Sequence, residues 1–131
     1  MTQPEDSSLP QGRLNALRAR ISALKNQKSG DLQRAKEEFA KALESDPNDV
    51  VCLYSLAVIA SEQDDLDQAL TWIDRAIATH PGFAPSFLAR SIIHARKGAL
   101  DAARNDLEAA ETLDPNLDGI AEQRAALRAL F

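Results

Sequence analysis

Apolar and small side chains recur along this chain at steps of three and four residues, the spacing that places them on one face of an α-helix. No stretch alternates between apolar and polar residues as a half-buried strand does. The whole helical pattern also repeats, since Pro47, Pro81 and Pro115 follow one another at intervals of 34 residues. A repeat of this length is typical of a solenoid, in which each unit buries its apolar face against its neighbours. The pattern therefore predicts an all-α array.

Five further columns share this period: a turn residue, a leucine, an alanine, a bulky apolar residue and a second alanine. They are Gly30, Asp64 and Gly98; Leu32, Leu66 and Leu100; Ala35, Ala69 and Ala103; Phe39, Ile73 and Leu107; and Ala42, Ala76 and Ala110. Each unit is thus predicted to contain two helices that meet at the turn column. In the second helix, the alanines let helix axes approach to roughly 8 Å while the bulky residue fills the remaining space. The prolines separate the units because the residue before a proline disfavours the α conformation.

This spacing resembles that of the tetratricopeptide repeat family, whose unit carries W-x2-L-G-x2-Y, then A-x3-F, then P. The second half of the pattern is kept in all three units, from the first alanine column through the bulky column to the proline. The first half is looser, because three of its positions hold other residues. The aromatic position holds Ala19, Leu53 and Phe87; the glycine position holds Ala23, Ala57 and Ser91; and the tyrosine position holds Asn26, Ala60 and His94. The resemblance spans residues 16–117. It implies a right-handed α-α superhelix of three tetratricopeptide-like helical hairpins, at about residues 16–49, 50–83 and 84–117.

The two ends of the chain complete the predicted domain organisation. Residues 1–12 are polar, carry Pro4 and Pro10 and contain no apolar run, so we expect a disordered tail rather than a signal peptide. Residues 118–131 show one further helical pattern, placed to shield the last hairpin from water as a C-terminal capping helix. Residues 13–131 then form a single domain, since 131 residues leave no room for a second core. No transmembrane span is predicted.

Groups that could perform catalysis or hold a metal are few. Cys52 is the single cysteine, a usage that points to a reducing compartment and hence to a cytoplasmic location. Its apolar neighbours favour a small buried side chain over a reactive thiol. His80 and His94 have no second ligand at metal-binding spacing. The acidic run at residues 64–67 lacks the central glycine and final glutamate of a calcium loop, and is interpreted as a helix start. We therefore predict no enzyme activity, no cofactor and no metal.

The net charge of −5 is divided unevenly along the chain. Residues 1–28 carry five basic and two acidic residues, or +3, so the remaining 103 residues carry −8. Basic residues gathered at one end, without aromatic residues among them, do not form the continuous basic face that nucleic acids require. Two interpretations are open. Either the basic residues form a solvated helix face, or the chain has opposite poles, one end being basic and the rest acidic. Such poles favour head-to-tail association or an acidic partner at the first helix.

The resemblance implies that function lies on the concave surface, which the family builds from the first helix of each unit. The residues carried over to this groove are mostly apolar: Leu17, Arg20, Ile21, Leu24, Val51, Tyr54, Val58, Leu88, Ile92 and Arg96. Family members that capture the C-terminal carboxylate of heat-shock chaperones use a clamp of lysine, arginine and asparagine at these places. Here four clamp positions hold residues of other kinds, which excludes the clamp: Leu24, Ser55, Pro85 and Ala89.

The apolar groove column predicts a non-enzymatic scaffold or adaptor that binds an apolar peptide or an amphipathic helix of another protein. In this interpretation Arg20 and Arg96 orient an acidic flank of the partner. Two alternatives stay open, namely that the groove residues pack mainly between neighbouring helices, or that the protein's own tail fills the groove.

The first helix allows two interpretations of its own. Leu14, Leu17, Ile21 and Leu24 follow a 3-4-3 spacing, and the family register would turn this stripe toward the groove. Either the helix is shifted by about two residues and the stripe forms its core face, or the stripe is exposed and pairs with another copy of the chain. The second possibility gives an alternative function, a self-assembling module that dimerises through the first helix.

Overall fold

A computed structural model describes residues 29–131 as a row of six α-helices. They are α1 (Ser29–Ser45), α2 (Val50–Glu62), α3 (Leu66–Thr79), α4 (Ala84–Arg96), α5 (Leu100–Leu113) and α6 (Ile120–Leu130). Each helix packs against the next, and α4 also contacts both α2 and α6. No strand occurs in this part of the chain. The array is an all-α superhelix of repeated hairpins, as predicted, with α2–α3 and α4–α5 as hairpins and α1 as the second helix of the unit before them.

Side-chain caps and prolines set the helix boundaries. The carboxylate of Asp49, just before α2, accepts hydrogen bonds from the backbone N–H groups of Val51 (2.9 Å) and Cys52 (3.3 Å). Asp65 caps α3 in the same way by accepting from the N–H of Gln68 at 3.2 Å. These bonds satisfy donors that have no partner inside the first helical turn. Helices α1, α3 and α5 each end two residues before a proline of the 34-residue series.

The alanine columns bring neighbouring helices close together. In α3, Ala69, Ile73 and Ala76 are completely buried, and the alanines at the corresponding positions of α5 are completely buried too. Because alanine has no bulk beyond Cβ, adjacent helix axes can approach closely at these points. The stripe differs in α1, where the second alanine of the column is exposed and Leu43 is buried beside it.

Helix α6 covers the end of the last hairpin, as expected for a capping helix. It buries Ile120 and Leu127 in a cluster with Leu88 of α4 and Leu107 of α5. Its buried Gln123 donates a hydrogen bond to the hydroxyl of Ser91 at 3.1 Å. Burial of these apolar side chains stabilises the end of the array, which would otherwise expose its core to water.

The residues of the turn column do not all lie in turns. At the turn column, Asp64 and Gly98 occupy left-handed turns with φ of 66° and 84°, whereas Gly30 lies in the first turn of α1. The tail at residues 1–12 and the first helix, with its two possible arrangements, lie outside the described residues. They stay predictions.

Candidate protein-binding groove

A pocket of about 320 Å³ opens between α2 and α4, the first helices of two successive units. Six residues of mainly apolar character form its wall: Tyr54, Ala57, Val58, Ala89, Ile92 and Ile93. Ser61 and Glu62, at the end of α2, add its polar part. Since apolar pockets with a few polar groups are the common form of a binding site, this pocket is the candidate functional site of the described residues.

Val58 and Ile92 are the accessible apolar side chains of this pocket. They occupy the same position of consecutive units, one on α2 and one on α4. Val58 is half-buried, and Ile92 is 37% exposed. The structure thus brings together two residues of the predicted groove that are 34 positions apart in sequence.

Other residues of the predicted groove are buried more deeply. Val51, Tyr54 and Leu88 are 4%, 1% and 1% exposed. Tyr54 lines the pocket, and its ring meets that of Phe83 edge to face, with the ring centroids 6.4 Å apart. These side chains can form the floor of a binding site, but their present contacts are within the protein.

The loop before α6 covers Leu88. A Cβ atom placed on Gly119 in that loop would lie 2.9 Å from Leu88 Cδ2, closer than real Cβ atoms approach other atoms. Gly119 has a φ of 99°, in the left-handed region that glycine tolerates best. Both features allow the loop to pass directly over Leu88. The accessible part of the groove is therefore the stretch between Val58 and Ile92.

Arg96 closes one end of this stretch. Its guanidinium donates hydrogen bonds to the carbonyl (2.8 Å) and the hydroxyl (2.7 Å) of Ser61 and pairs with the carboxylate of Asp64. The adjacent Lys97 pairs with Asp67, and its ammonium lowers the pKa of that carboxyl group. The end of α4 is thus tied to the end of α2 and to the start of α3. That Arg96 orients an acidic flank of a partner stays a prediction.

The positions of the carboxylate clamp hold no cation in the described part of the chain. Ser55 is completely buried, and its hydroxyl donates to the carbonyl of Val51 at 2.7 Å. Pro85 and Ala89 are buried as well. The predicted groove residues of the first helix all lie outside residues 29–131. They are Leu17, Arg20, Ile21 and Leu24.

A partly buried ion pair on the groove helix α4 is not among the features that the sequence pattern predicts. Arg90 of α4 donates to both carboxylate oxygens of Asp106 on α5, at 2.8 and 2.9 Å, and to Asp74 on α3 at 3.0 Å. The hydrogen bond to Asp106 raises the pKa of Arg90, and burial opposes this effect. The signal was present in the 34-residue period, because Arg90 and Asp106 stand at the positions of Leu56 and Trp72 in the preceding unit. An ionic pair replaces an apolar one.

The remaining candidate groups lie away from the groove or inside the core. Cys52 is 5% exposed and belongs to the core cluster of α2 and α3. A second pocket of about 430 Å³ lies between α5 and α6 and is lined by charged residues together with Leu107, Leu127 and Phe131. No three His, Cys, Asp or Glu side chains among the described residues are grouped so that they could hold a metal ion. None of the described helices is both long enough and apolar enough to cross a membrane.

Comparison with known proteins agrees with this architecture. The tetratricopeptide repeat family model matches residues 27–89. No curated protein sequence matches the chain significantly. The second tetratricopeptide repeat domain of human RPAP3, solved in complex with the HSP70 peptide SGPTIEEVD, is similar with a TM-score of 0.70 at 17% identity. That match covers 91% of this chain and 98% of that domain.

Two further structures come from other organisms. The TPR2B domain of yeast Sti1, in its pHsp70 complex, matches with a TM-score of 0.72 at 14% identity, covering 90% of this chain and 98% of that chain. The type III secretion chaperone SycD of Yersinia enterocolitica, in complex with a peptide of the translocator YopD, matches with a TM-score of 0.65 at 19% identity, covering 88% of each chain. At these identities the likeness shows the fold.

The fold and the repeated columns define a helical repeat protein in which α2 and α4, the described first helices, lie side by side. The family model identifies tetratricopeptide repeats over residues 27–89, and the solved structures share the fold of the array, as the sequence pattern predicted.

Proposed function

We propose that this protein is an interaction adaptor that binds an apolar segment of another protein, in the form of an amphipathic helix, between α2 and α4. The observation that carries the proposal is the pairing of Val58 and Ile92. These residues occupy equivalent positions of consecutive units and form the accessible apolar wall of one pocket of about 320 Å³. An apolar anchor of a partner, inserted there, would be surrounded by side chains that exclude water.

The spacing of the groove favours a helix as the ligand. Helices α2 and α4 pack side by side, and packed helices have axes about 8–10 Å apart. An amphipathic helix presents apolar anchors at i, i+3 or i+4 and i+7, which lets successive anchors meet successive array helices. The likeness to domains that bind peptides in human RPAP3 and in SycD supports the same use of this fold here.

An acidic C-terminal peptide of the chaperone type is the less suitable ligand. The described clamp positions are Ser55, Pro85 and Ala89, none of which can neutralise a carboxylate. The absence of enzyme activity and a cytoplasmic location stay predictions, and so does dimerisation through the first helix.

Replacement of Ile92 by aspartate tests the proposal. The probe is a synthetic helical peptide with leucine at i, i+3, i+4 and i+7, labelled for fluorescence anisotropy. A carboxylate at position 92 would have to lose water when the anchor binds, so we expect affinity to fall by about tenfold or more. Ile92 is more exposed than Val58, so its replacement perturbs the fold less. Val58→Asp, checked by circular dichroism, examines the second wall of the pocket.

Leu113→Asp is the matched control. Leu113 is 45% exposed at the end of α5 and does not line the pocket. The same chemical change there should leave peptide affinity at the wild-type value. Wild-type affinity in the Ile92→Asp variant would refute the groove assignment.

A further inference from the structure

We infer that residues 13–28 pack against α1 in a register shifted by two residues toward the N-terminus from the one that the repeat gives, with Leu17, Ile21 and Leu24 on the core face. The partner of this stripe is then α1 of the same chain, not a second copy. The segment directly precedes Ser29, where α1 begins, so its place in the chain suits it to this surface. This packing is independent of the binding function proposed above.

Helix α1 begins earlier in its repeat than the other second helices do. In the two described hairpins, three residues connect the first helix to the second, at 63–65 and 97–99, and one residue of each connection has a positive φ. The equivalent of that turn residue in the first unit is Gly30, which already belongs to α1, helical from Ser29. The turn that joins α1 to the first helix is therefore expected before residue 29.

An earlier turn moves the first helix toward the N-terminus. The 34-residue period places the end of this helix at Lys28, the equivalent of Glu62 and Arg96. A connection of three residues before α1 would instead end the first helix at Lys25. Helix ends are defined to within one or two residues, so this displacement agrees with a shift of two.

The apolar pattern selects the size of the shift. Four core positions of a first helix, none of them more than 1% exposed, are visible in α2: Leu53, Leu56, Ala57 and Ala60. Without a shift, the first unit has small or polar residues at these positions: Ala19, Ser22, Ala23 and Asn26. A shift of two residues replaces them by three large apolar residues and one arginine: Leu17, Arg20, Ile21 and Leu24. Burial of three large apolar side chains favours this register.

Neighbouring registers are less suitable. A shift of one residue would put Arg18 and Lys25 at two of the four core positions, where each charge would lose water. A shift of three residues would leave three alanines and an arginine there, with little apolar surface to bury. The two-residue shift is therefore the one that the apolar pattern supports.

The arginine of the shifted set has a charged partner on α1. In the α4–α5 hairpin, Arg90 occupies the position that Arg20 takes after the shift, and it donates to both carboxylate oxygens of Asp106. The position of Asp106 is held in α1 by Glu38, an exposed acid. Arg20 and Glu38 would thus repeat this ion pair, whereas the unshifted register places the neutral Ser22 opposite Glu38. Charge complementarity therefore favours the shifted register as well.

The surface of α1 is suited to receive these side chains. In the α4–α5 hairpin, the hydroxyl of Ser91 donates to the backbone carbonyl of Ala103, so this part of the second helix faces its own first helix. Helix α1 has Ala35 at the position of Ala103. Its second alanine, Ala42, is exposed, whereas the equivalent alanines of α3 and α5 are completely buried. Residues 29–131 thus cover α1 less fully than they cover the other second helices.

The shift changes both the groove and the expected oligomeric state. The apolar stripe and Arg20 leave the concave surface, and Ser22 moves to the position that Val58 and Ile92 occupy in the following units. The apolar column of the groove then ends at α2. Because the stripe is buried against α1, it is not available to another copy, and we expect a monomer.

Two neighbouring replacements in the full chain distinguish the registers. After the shift, Leu24 takes the position of the buried Ala60, and Ala23 takes that of Ile59, whose partners lie in the preceding unit. Without the shift, Ala23 takes the position of the buried Ala57, and Leu24 faces the groove. The same replacement by aspartate therefore has opposite consequences at the two positions.

Urea denaturation measures the difference. Leu24→Asp should raise the equilibrium constant of unfolding by about a hundredfold or more, because it removes a buried leucine. Ala23→Asp should change this constant by no more than about fivefold, the effect of a surface replacement and of the lower helix propensity of aspartate. Complete unfolding of Leu24→Asp beside a folded Ala23→Asp is the same result in a stronger form.

A charge exchange tests the ion pair separately. Arg20→Glu and Glu38→Arg should each destabilise the protein, and the double variant should recover up to about fivefold in the unfolding constant, the range of an exposed ion pair. Ser22→Glu combined with Glu38→Arg is the matched control and should show no recovery. Light scattering of the wild-type protein over a hundredfold concentration range should show a monomer.

Three results would overturn the inference. Greater destabilisation by Ala23→Asp than by Leu24→Asp would refute the shift. A wild-type dimer that Leu24→Asp dissociates would refute packing within the chain. Additive losses in the Arg20 and Glu38 exchange, or recovery in the Ser22 control, would refute the ion pair and the register with it. None of these measurements involves a bound peptide, so their outcome is separate from that of the groove proposal.

Discussion

Single residues decide where this array departs from a uniform repeat. In the α2–α3 hairpin, Leu56 and Trp72 occupy the positions at which the next hairpin has Arg90 and Asp106. The second pair is ionic, with side chains 25% and 9% exposed, and it joins the α4–α5 hairpin to α3 through Asp74. The two hairpins have nearly equal lengths, but one has two apolar side chains at the positions where the other has an ionic pair. Alignment of the repeat columns exposes this difference in the sequence, but not the contact with Asp74.

Removal of the Asp106 carboxylate should destabilise the fold. Asp106→Ala leaves the guanidinium of Arg90 without its bidentate partner, and hydrogen bonds to charged groups contribute about 1.5–3 kcal/mol. We expect a loss of this size in the free energy of unfolding, measured by urea denaturation. Asp101→Ala is the control. Asp101 is exposed, and its replacement removes only a contact of 3.5 Å between its carboxylate and the guanidinium of Arg104. Equal stability of the two variants would contradict a structural role of the pair.

The apolar solution of the preceding hairpin gives a second check on this pair. Replacing both Arg90 and Asp106 by leucine removes both charges together, so no buried charge is left unpaired. Such double replacements of buried ion pairs are often neutral or stabilising. The double variant should therefore be more stable than Asp106→Ala.

At the scale of the helices and their connections, the sequence predicts much of what the structure contains. The prolines separate the units because a proline restricts the residue before it, and this local effect does not depend on distant contacts. The prediction of a capping helix at residues 118–131 follows from an apolar stripe, and α6 buries Ile120 and Leu127 of that stripe but leaves Leu130 and Phe131 exposed. The passage of the Gly119 loop over Leu88 could not be predicted in this way, since it depends on how closely two segments approach in space.

Three glycine-to-alanine variants distinguish these effects in the turns. Gly82 has an ordinary φ and open space around it, so Gly82→Ala should change stability little. Gly98 has open space but a φ of 84°, and Gly98→Ala should cost about 1 kcal/mol in conformational strain. Gly119 has both a φ of 99° and the contact with Leu88 Cδ2, so Gly119→Ala should be the most destabilising. Thermal unfolding measures the order; equal losses at positions 98 and 119 would contradict close packing on Leu88.

At the scale of the whole molecule, the groove is only partly readable from the repeat pattern. The pattern predicts which face of each first helix turns inward, and in the described part of the chain Val58 and Ile92 of that face line one pocket. It does not tell how much of that face is left accessible. Val51, Tyr54 and Leu88 belong to the same face, yet they are buried inside the protein. Tyr54 packs against Phe83, and the loop at Gly119 covers Leu88. Residues on one face can thus differ widely in accessibility, depending on the column to which they belong.

The proposed binding of an apolar helix requires the accessible stretch between α2 and α4. Its most direct test is to map the amide signals of the protein by NMR while the synthetic helical peptide with leucine at i, i+3, i+4 and i+7 is added. We predict that the largest shifts occur around Val58, Ser61 and Ile92, with little change in the outer helices α3 and α5. Shifts concentrated instead around Phe131 and Arg128, at the pocket between α5 and α6, would contradict the groove as the binding surface.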